Sequence, residues 1–198
     1  MPPRVSHEVE SFAGYYHNHF SIGAKLARND IEVNLTGENS NTKLNGVYLL
    51  QKQQHLDNHT NIEHIVANCQ SSQAYHGILG DKSTGVFNGR VHVHPNAIQT
   101  IAKQSSKTLL LSEESNIYTK PELEIYADDV ECAHGATIGQ IDENMYFYLL
   151  SRGISKKEAY KMLTVAFASE IIHKFELMPI RGQLDEILSE HVQAVPSL

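Results

Sequence analysis

The chemistry available to this chain lies mainly in imidazoles: it holds 12 histidines against 2 cysteines and no tryptophan. Scattered histidines mostly serve as surface or satisfied core polarity, so the informative cases are pairs whose spacing makes two rings converge. In an extended strand, side chains two apart share a face. Val91-His92-Val93-His94-Pro95 therefore offers two nitrogens on one side, a metal-ligand spacing. Strand-borne metal sites of that kind add a glutamate three or four residues later, where Ala97 and Ile98 stand here, so a polar strand face is favoured. His17 with His19, and His59 and His64 beside Asn58 and Asn61, have no acid or cysteine at a helpful spacing. Cys132 and His134 are also two apart, and together could give sulfur and nitrogen to iron or zinc. They supply two of the four ligands a closed site wants, and the rest must come from elsewhere or from another chain. On spacing alone, a core cysteine with a histidine beside it by chance fits equally well. Glu124, Asp128 and Asp129 gather carboxylates near a strand end, as a β-helix polysaccharide lyase or hydrolase would require. The absence of tryptophan for sugar stacking weighs against that reading.

Positioning such groups takes a core, and 41% hydrophobic residues in 198 supply one, excluding general disorder and favouring one domain or one with a small appendage. No run of about 18 apolar residues occurs, and the first twenty residues lack the apolar centre of a signal peptide. Membrane spanning and classical secretion are not expected. Lys and Arg number 16 against 23 Asp and Glu, a formal charge of −7 that argues against nucleic-acid binding. Two cysteines without a Cys-x-x-Cys pair exclude a disulfide framework and a four-cysteine zinc site, leaving reduced thiols in a cytoplasmic setting.

The chain changes character near Gly139. Before it, short extended runs alternate with breaks rich in Asn, Gly, Ser and Thr: Ile31 to Leu35, Gly46 to Leu50, Ile62 to Ala67, Gly85 to Phe87, Val91 to Val93, Leu109 to Leu111, Leu123 to Ala127 and Ala136 to Ile138. A sandwich, a barrel and a parallel β-helix all fit, the last lacking a strict repeat at one period. After Gly139 the pattern is helical. Asp142 caps a short helix ending at Gly153, and Ser155 with Glu158 forms a capping box opening a second. Leu163, Phe167, Ile171 and Phe175, with Ala159, Met162 and Ala166 beside them, predict one apolar face. Pro179 ends that helix, and Leu184, Ile187, Leu188 and His191 suggest a third. So few short helices cannot close a core alone, and the stripe must pack on the β region, on a partner, or on both.

The stretch Pro121 to Val130 followed by Cys132-Ala133-His134-Gly135-Ala136-Thr137 resembles the SufB/SufD family, scaffold subunits of the SUF iron–sulfur cluster assembly machinery. Asn116 to Pro121 upstream and Ser151-Arg152-Gly153-Ile154 downstream are similar to it as well, and His134 to Thr137 looks like the SufD branch. The resemblance implies a mainly β fold, a right-handed parallel β-helix over 1–140 followed by a small α-helical domain over 141–198. It implies a non-catalytic scaffold that pairs with a SufB-like subunit and binds a SufC-like ABC ATPase. An iron–sulfur cluster would form transiently at the subunit interface, with none tightly bound in the isolated chain. His134, with Cys132 beside it, would be the cluster ligand. The helix around 155–175, through Ser155, Ala159, Leu163 and Phe167, would dock the ATPase. No phosphate-binding Gly-x-x-x-x-Gly-Lys-Ser/Thr loop is present, so ATP hydrolysis would belong to the partner. Family members are longer, with an N-terminal helical region and earlier β-helix turns. The chain is thus expected to be a piece of a longer protein or to fold residues 1–25 into a cap. Its exposed first turn also makes self-association possible.

Overall fold

A computed structural model describes residues 4–192; residues 1–3 and 193–198 lie outside the described residues. The described strands are β1 (Arg4–Val9), β2 (Gly14–Ser21), β3 (Leu26–Leu35), β4 (Asn41–Leu50), β5 (His55–His64), β6 (Gln70–Leu79), β7 (Thr84–Val93), β8 (Ile101–Leu110), β9 (Asn116–Ile125) and β10 (Glu131–Gly139). Odd strands stack in one sheet and even strands in another, every pairing parallel. Each coil thus gives one strand to each sheet, and the chain is a parallel β-solenoid, which decides among the three architectures.

Alternation explains the interior. In β5 the buried positions are Leu56, Asn58, Thr60, Ile62 and His64, every second residue, because one face turns inward. β4 and β6 are buried on both faces over most of their length. Their inner residues Leu44, Tyr48, Leu50, Tyr75 and Leu79 join the central core, while outward Val47, Leu49, Ala74 and Ile78 lie under helices. The two strands also exchange rings and glycines: Gly46 stands beside Tyr75 and Tyr48 beside Gly77. A Cβ at either glycine would land on the neighbouring tyrosine ring.

Why no repeat is visible in the sequence is now plain. Hydrogen-bonded side chains on adjacent coils are 27 residues apart for Asn18 and Asn45, 29 for Asn29 and Asn58, and 31 for Gln73 and Gln104. What recurs is backbone geometry at one corner, where Phe12, Asn39, Asn68, Gln99 and Asp129 all take left-handed φ between 54° and 62°. Five coils meet this demand with four residue types, so the repeat is structural rather than chemical. Backbone bonds join successive corners, from Phe12 N to Glu38 O (3.1 Å) and from Gln99 N to Asp129 O (2.8 Å).

Several segment boundaries differ from the sequence reading. β5 ends at His64, so Ile65 and Ala67 belong to a corner, and the two runs around Val86 and His92 are ends of one strand, β7. The expected cap over residues 1–25 is not formed by the described residues there. Instead β1 and β2 make an ordinary coil in register with β3 and β4.

Three helices follow: α1 (Glu143–Ser151), α2 (Lys156–Ile172) and α3 (Met178–His191). The Asp142 side chain accepts from Asn144 N (2.8 Å) and Met145 N (2.9 Å), and Gly153 takes φ +84° just after α1. The Ser155 hydroxyl accepts from Glu158 N at 3.3 Å, starting α2. Pro179 sits in the first turn of α3 rather than ending α2, where its missing N–H costs nothing. The buried face of α2 is Ala159, Thr164, Ala168, Ile171 and Ile172, and Met162 and Ala166 are exposed. The stripe is rotated toward β4 and β6, where Ala168, Ile171 and Ile172 of α2 and Phe175 just beyond it pack with Val47, Leu49, Ala74 and Ile78.

Candidate functional site

The last described coil ends the stack on a thiol and an imidazole. Among the described residues β10 pairs with β8 alone and β9 with β7 alone. Within the β10–β8 register, Cys132 stands beside Ala102 and His134 beside Gln104. Ala102 and Gln104 are buried inside, and in-register parallel neighbours point the same way. Cys132 and His134 therefore both face the solenoid axis at its open end. No described coil covers them, so His134 is exposed, while Cys132 is half-buried against the central core. That burial pushes the Cys132 thiol up, so a metal must displace its proton to gain the thiolate.

Beneath these groups the interior is polar. Gln104 donates to Gln73 Oε1 at 2.7 Å, and Gln73 donates in turn to Thr60. Gln104 Oε1 and Ser106 Oγ are buried without a hydrogen-bond partner. Around the open end Tyr118, Ile125, Tyr126 and Ile138 are exposed. An apolar strand edge of this length is a template for pairing with another chain. Pro121 lies in β9, as an edge strand permits.

The other sequence candidates divide sharply. Glu124 accepts from Arg90 Nε (3.0 Å) and from a second guanidinium nitrogen (2.7 Å), which holds its carboxyl below the usual range. That is the reverse of a general acid's need, and Asp128 and Asp129 are exposed at the corner beyond. Glu124 is thereby kept as an ion-pair partner of Arg90 rather than a proton donor. His64 is buried, 2.8 Å from the Ser71 hydroxyl, and burial pulls it down to about 4. His19 is likewise pulled to about 4, first by burial and then by His17. His59 pairs with Asp57 at 2.7 Å. These are structural histidines. Cys69, within 3.3 Å of the Ser40 hydroxyl, is a buried core thiol.

On α2 the expected docking surface needs correction. Ala159 is fully buried, and Phe167 is half-buried, stacked on His76 with ring centres 4.8 Å apart. Ala159 is thus closed to a partner, and Phe167 packs on the solenoid. Ser155 is exposed at the cap and Leu163 half-buried. Exposed apolar side chains lie instead at Met145, Phe147 and Tyr148 of α1 and Met162 of α2.

His92 and His94 share a face as their spacing predicts, and they meet a group that linear spacing missed. Glu63 of β5 stands in register with His92 of β7, 2.7 Å from its Nδ1 and 2.8 Å from His94 Nε2. It lies one coil earlier, a signal readable only with the coil length in hand.

The fold and its terminal strand define a class: a parallel β-solenoid with helices along one sheet and an open last coil bearing a thiol and an imidazole. Residues 4–167 match the family described as SUF system FeS cluster assembly, SufBD core domain, and the chain belongs to that family. It is 37% identical over 188 residues to the iron–sulfur cluster assembly protein SufD of Escherichia coli, covering 95% of this chain and 44% of that protein. An iron–sulfur cluster assembly SufBD family protein of Synechocystis is 36% identical over 85% of this chain and 37% of its own length. The SufD of Bacillus subtilis is 31% identical over 63% of this chain and 29% of its own length. The chain thus spans less than half the length of these relatives.

Proposed function

We propose that this chain is the solenoid and helical part of a SufD-like scaffold subunit for iron–sulfur cluster assembly, acting in the cytoplasm without catalysing a reaction itself. The carrying observation is that Cys132 and His134 face one way on a strand that, among the described residues, pairs on one edge alone. Two ligands hold iron weakly, so cluster formation calls for a second chain to complete the set. A SufB-like solenoid docking on β9 and β10 supplies it, extending the stack and covering Tyr118, Tyr126 and Ile138. The nascent cluster is then cargo shared between the chains. Binding of a SufC-like ATPase falls to the helical region, through the exposed apolar groups of α1 and Met162, with Ser155 and Leu163 at its margin. The split at 140/141 then separates the cluster-bearing part from the motor-bearing part.

The test is co-purification with SufB-like and SufC-like partners followed by anaerobic reconstitution. His134→Ala is expected to leave assembly of the complex intact and to impair cluster formation. Because His134 is exposed and has no packing role, a normal rate of cluster formation in that variant defeats the ligand assignment.

A further inference from the structure

The geometry points to a second metal site, on the outer face of the odd-numbered sheet: we propose that Glu63, His92 and His94 bind one divalent transition-metal ion. Their ligand atoms all lie within 4.8 Å of one another, and each residue is half-buried. The Glu63 carboxylate is divided between two tasks. Oε1 accepts from Asn61 Nδ2 (2.9 Å) and from Arg90 (2.6 Å), which fixes the group. Oε2 is left to the two imidazoles, whose rings stack with centres 4.2 Å apart. Arg90 is itself held by Glu124 and by Asn61 Oδ1 (3.0 Å). A carboxylate oriented through its other oxygen is the arrangement of a supported metal ligand.

Without an ion, the hydrogen bonding is inconsistent at one atom. His92 Nδ1 is 2.9 Å from an Arg90 nitrogen, which can only donate, and 2.7 Å from Glu63 Oε2, which can only accept. A single ring nitrogen cannot present a lone pair to the first and a proton to the second. A cation resolves the conflict, since both imidazoles turn lone pairs to it and Arg90 retains Glu63, Asn61 and Glu124. Ligand atoms about 2.1 Å from a shared ion sit ~3.0–3.4 Å apart, so the two carboxylate–imidazole separations open by a few tenths of an ångström, and the three atoms, all within 4.8 Å, gather around the ion.

Two imidazoles and one carboxylate, with further positions open to water, suit Zn²⁺, Fe²⁺ or Co²⁺ rather than Mg²⁺ or Ca²⁺, which prefer oxygen, or Cu(I), which prefers sulfur. The neighbouring guanidinium weakens the attraction, making the ion exchangeable. The site is complete within one chain and does not depend on the scaffold reading.

The full chain, stripped with chelator, is titrated with Zn²⁺ by calorimetry and with Co²⁺ by visible absorption. One equivalent is expected, with ligand-field bands of a histidine-bound Co²⁺ and a raised melting temperature. His94→Ala, at a partly exposed position, and Glu63→Gln are each expected to weaken binding at least tenfold. The double variant Cys132→Ser, His134→Ala is expected to retain it, which separates this site from the cluster ligands. No stoichiometric uptake, uptake undiminished in a folded His94→Ala protein, or uptake lost in the double variant overturns the proposal.

Discussion

At the scale of single residues, the solenoid depends on a few positions where only one side chain fits. Gly46 and Gly77 lie under the Tyr75 and Tyr48 rings, and both tyrosines are buried. Gly46→Ala forces a ring aside in a core that has no slack, at an expected cost of about 1–3 kcal/mol. Urea denaturation reads it, and an unchanged midpoint would show that the ring contact does not constrain the stack. The Cys132 and His134 pair was legible as two groups on one face, since strand alternation dictates it. Whether that face was open or sealed was not. A strand in mid-stack and a strand at its end carry the same alternation.

Among the elements, α2 shows how a stripe in sequence and a buried face in space diverge. Fourth-residue spacing picked out Leu163, Phe167, Ile171 and Phe175; Ile171 and Phe175 are buried against the sheet, whereas Leu163 and Phe167 are half-buried and Thr164 and Ala168 take inner positions. Small Ala168 lets the helix lie near the sheet, and Ile171 and Ile172 fill the seam beside it. Phe167→Asp places a charge against His76 in the helix–sheet contact and is expected to destabilise the fold by about 2 kcal/mol or more. Met162→Asp, on the exposed side, is expected to leave the melting temperature within about 2 °C and, on the proposed function, to weaken association with a SufC-like ATPase. A circular dichroism melt with a pull-down on each variant distinguishes the two roles. Equal melting losses in both would place Met162 in the packing.

For the whole molecule, burial of histidines ties stability to pH. His19 is held at about 4 against its usual 6.5, and burial lowers His76 as well. Below pH 6.5 the unfolded chain takes up protons that the folded chain refuses, so stability is full above 6.5 and falls as the pH drops toward 4. Denaturation midpoints at pH 7, 6 and 5 should decline, with a shallower slope in His19→Gln. An identical slope would show that His19 is not the group refusing the proton. By itself the sequence determined the strand-rich and helical halves, the caps at Asp142 and Ser155, and the shared face of Cys132 and His134. These follow from local propensity and from periods of two and about four. Periodicity left three architectures open, the family resemblance implied the β-helix, and the stacked coils bear that out. Only the tertiary structure decided that among the described residues no strand lies beyond β10, and that Glu63 meets His92 and His94. Those facts depend on corners of variable length, which set which residue of one coil stands beside which residue of the next.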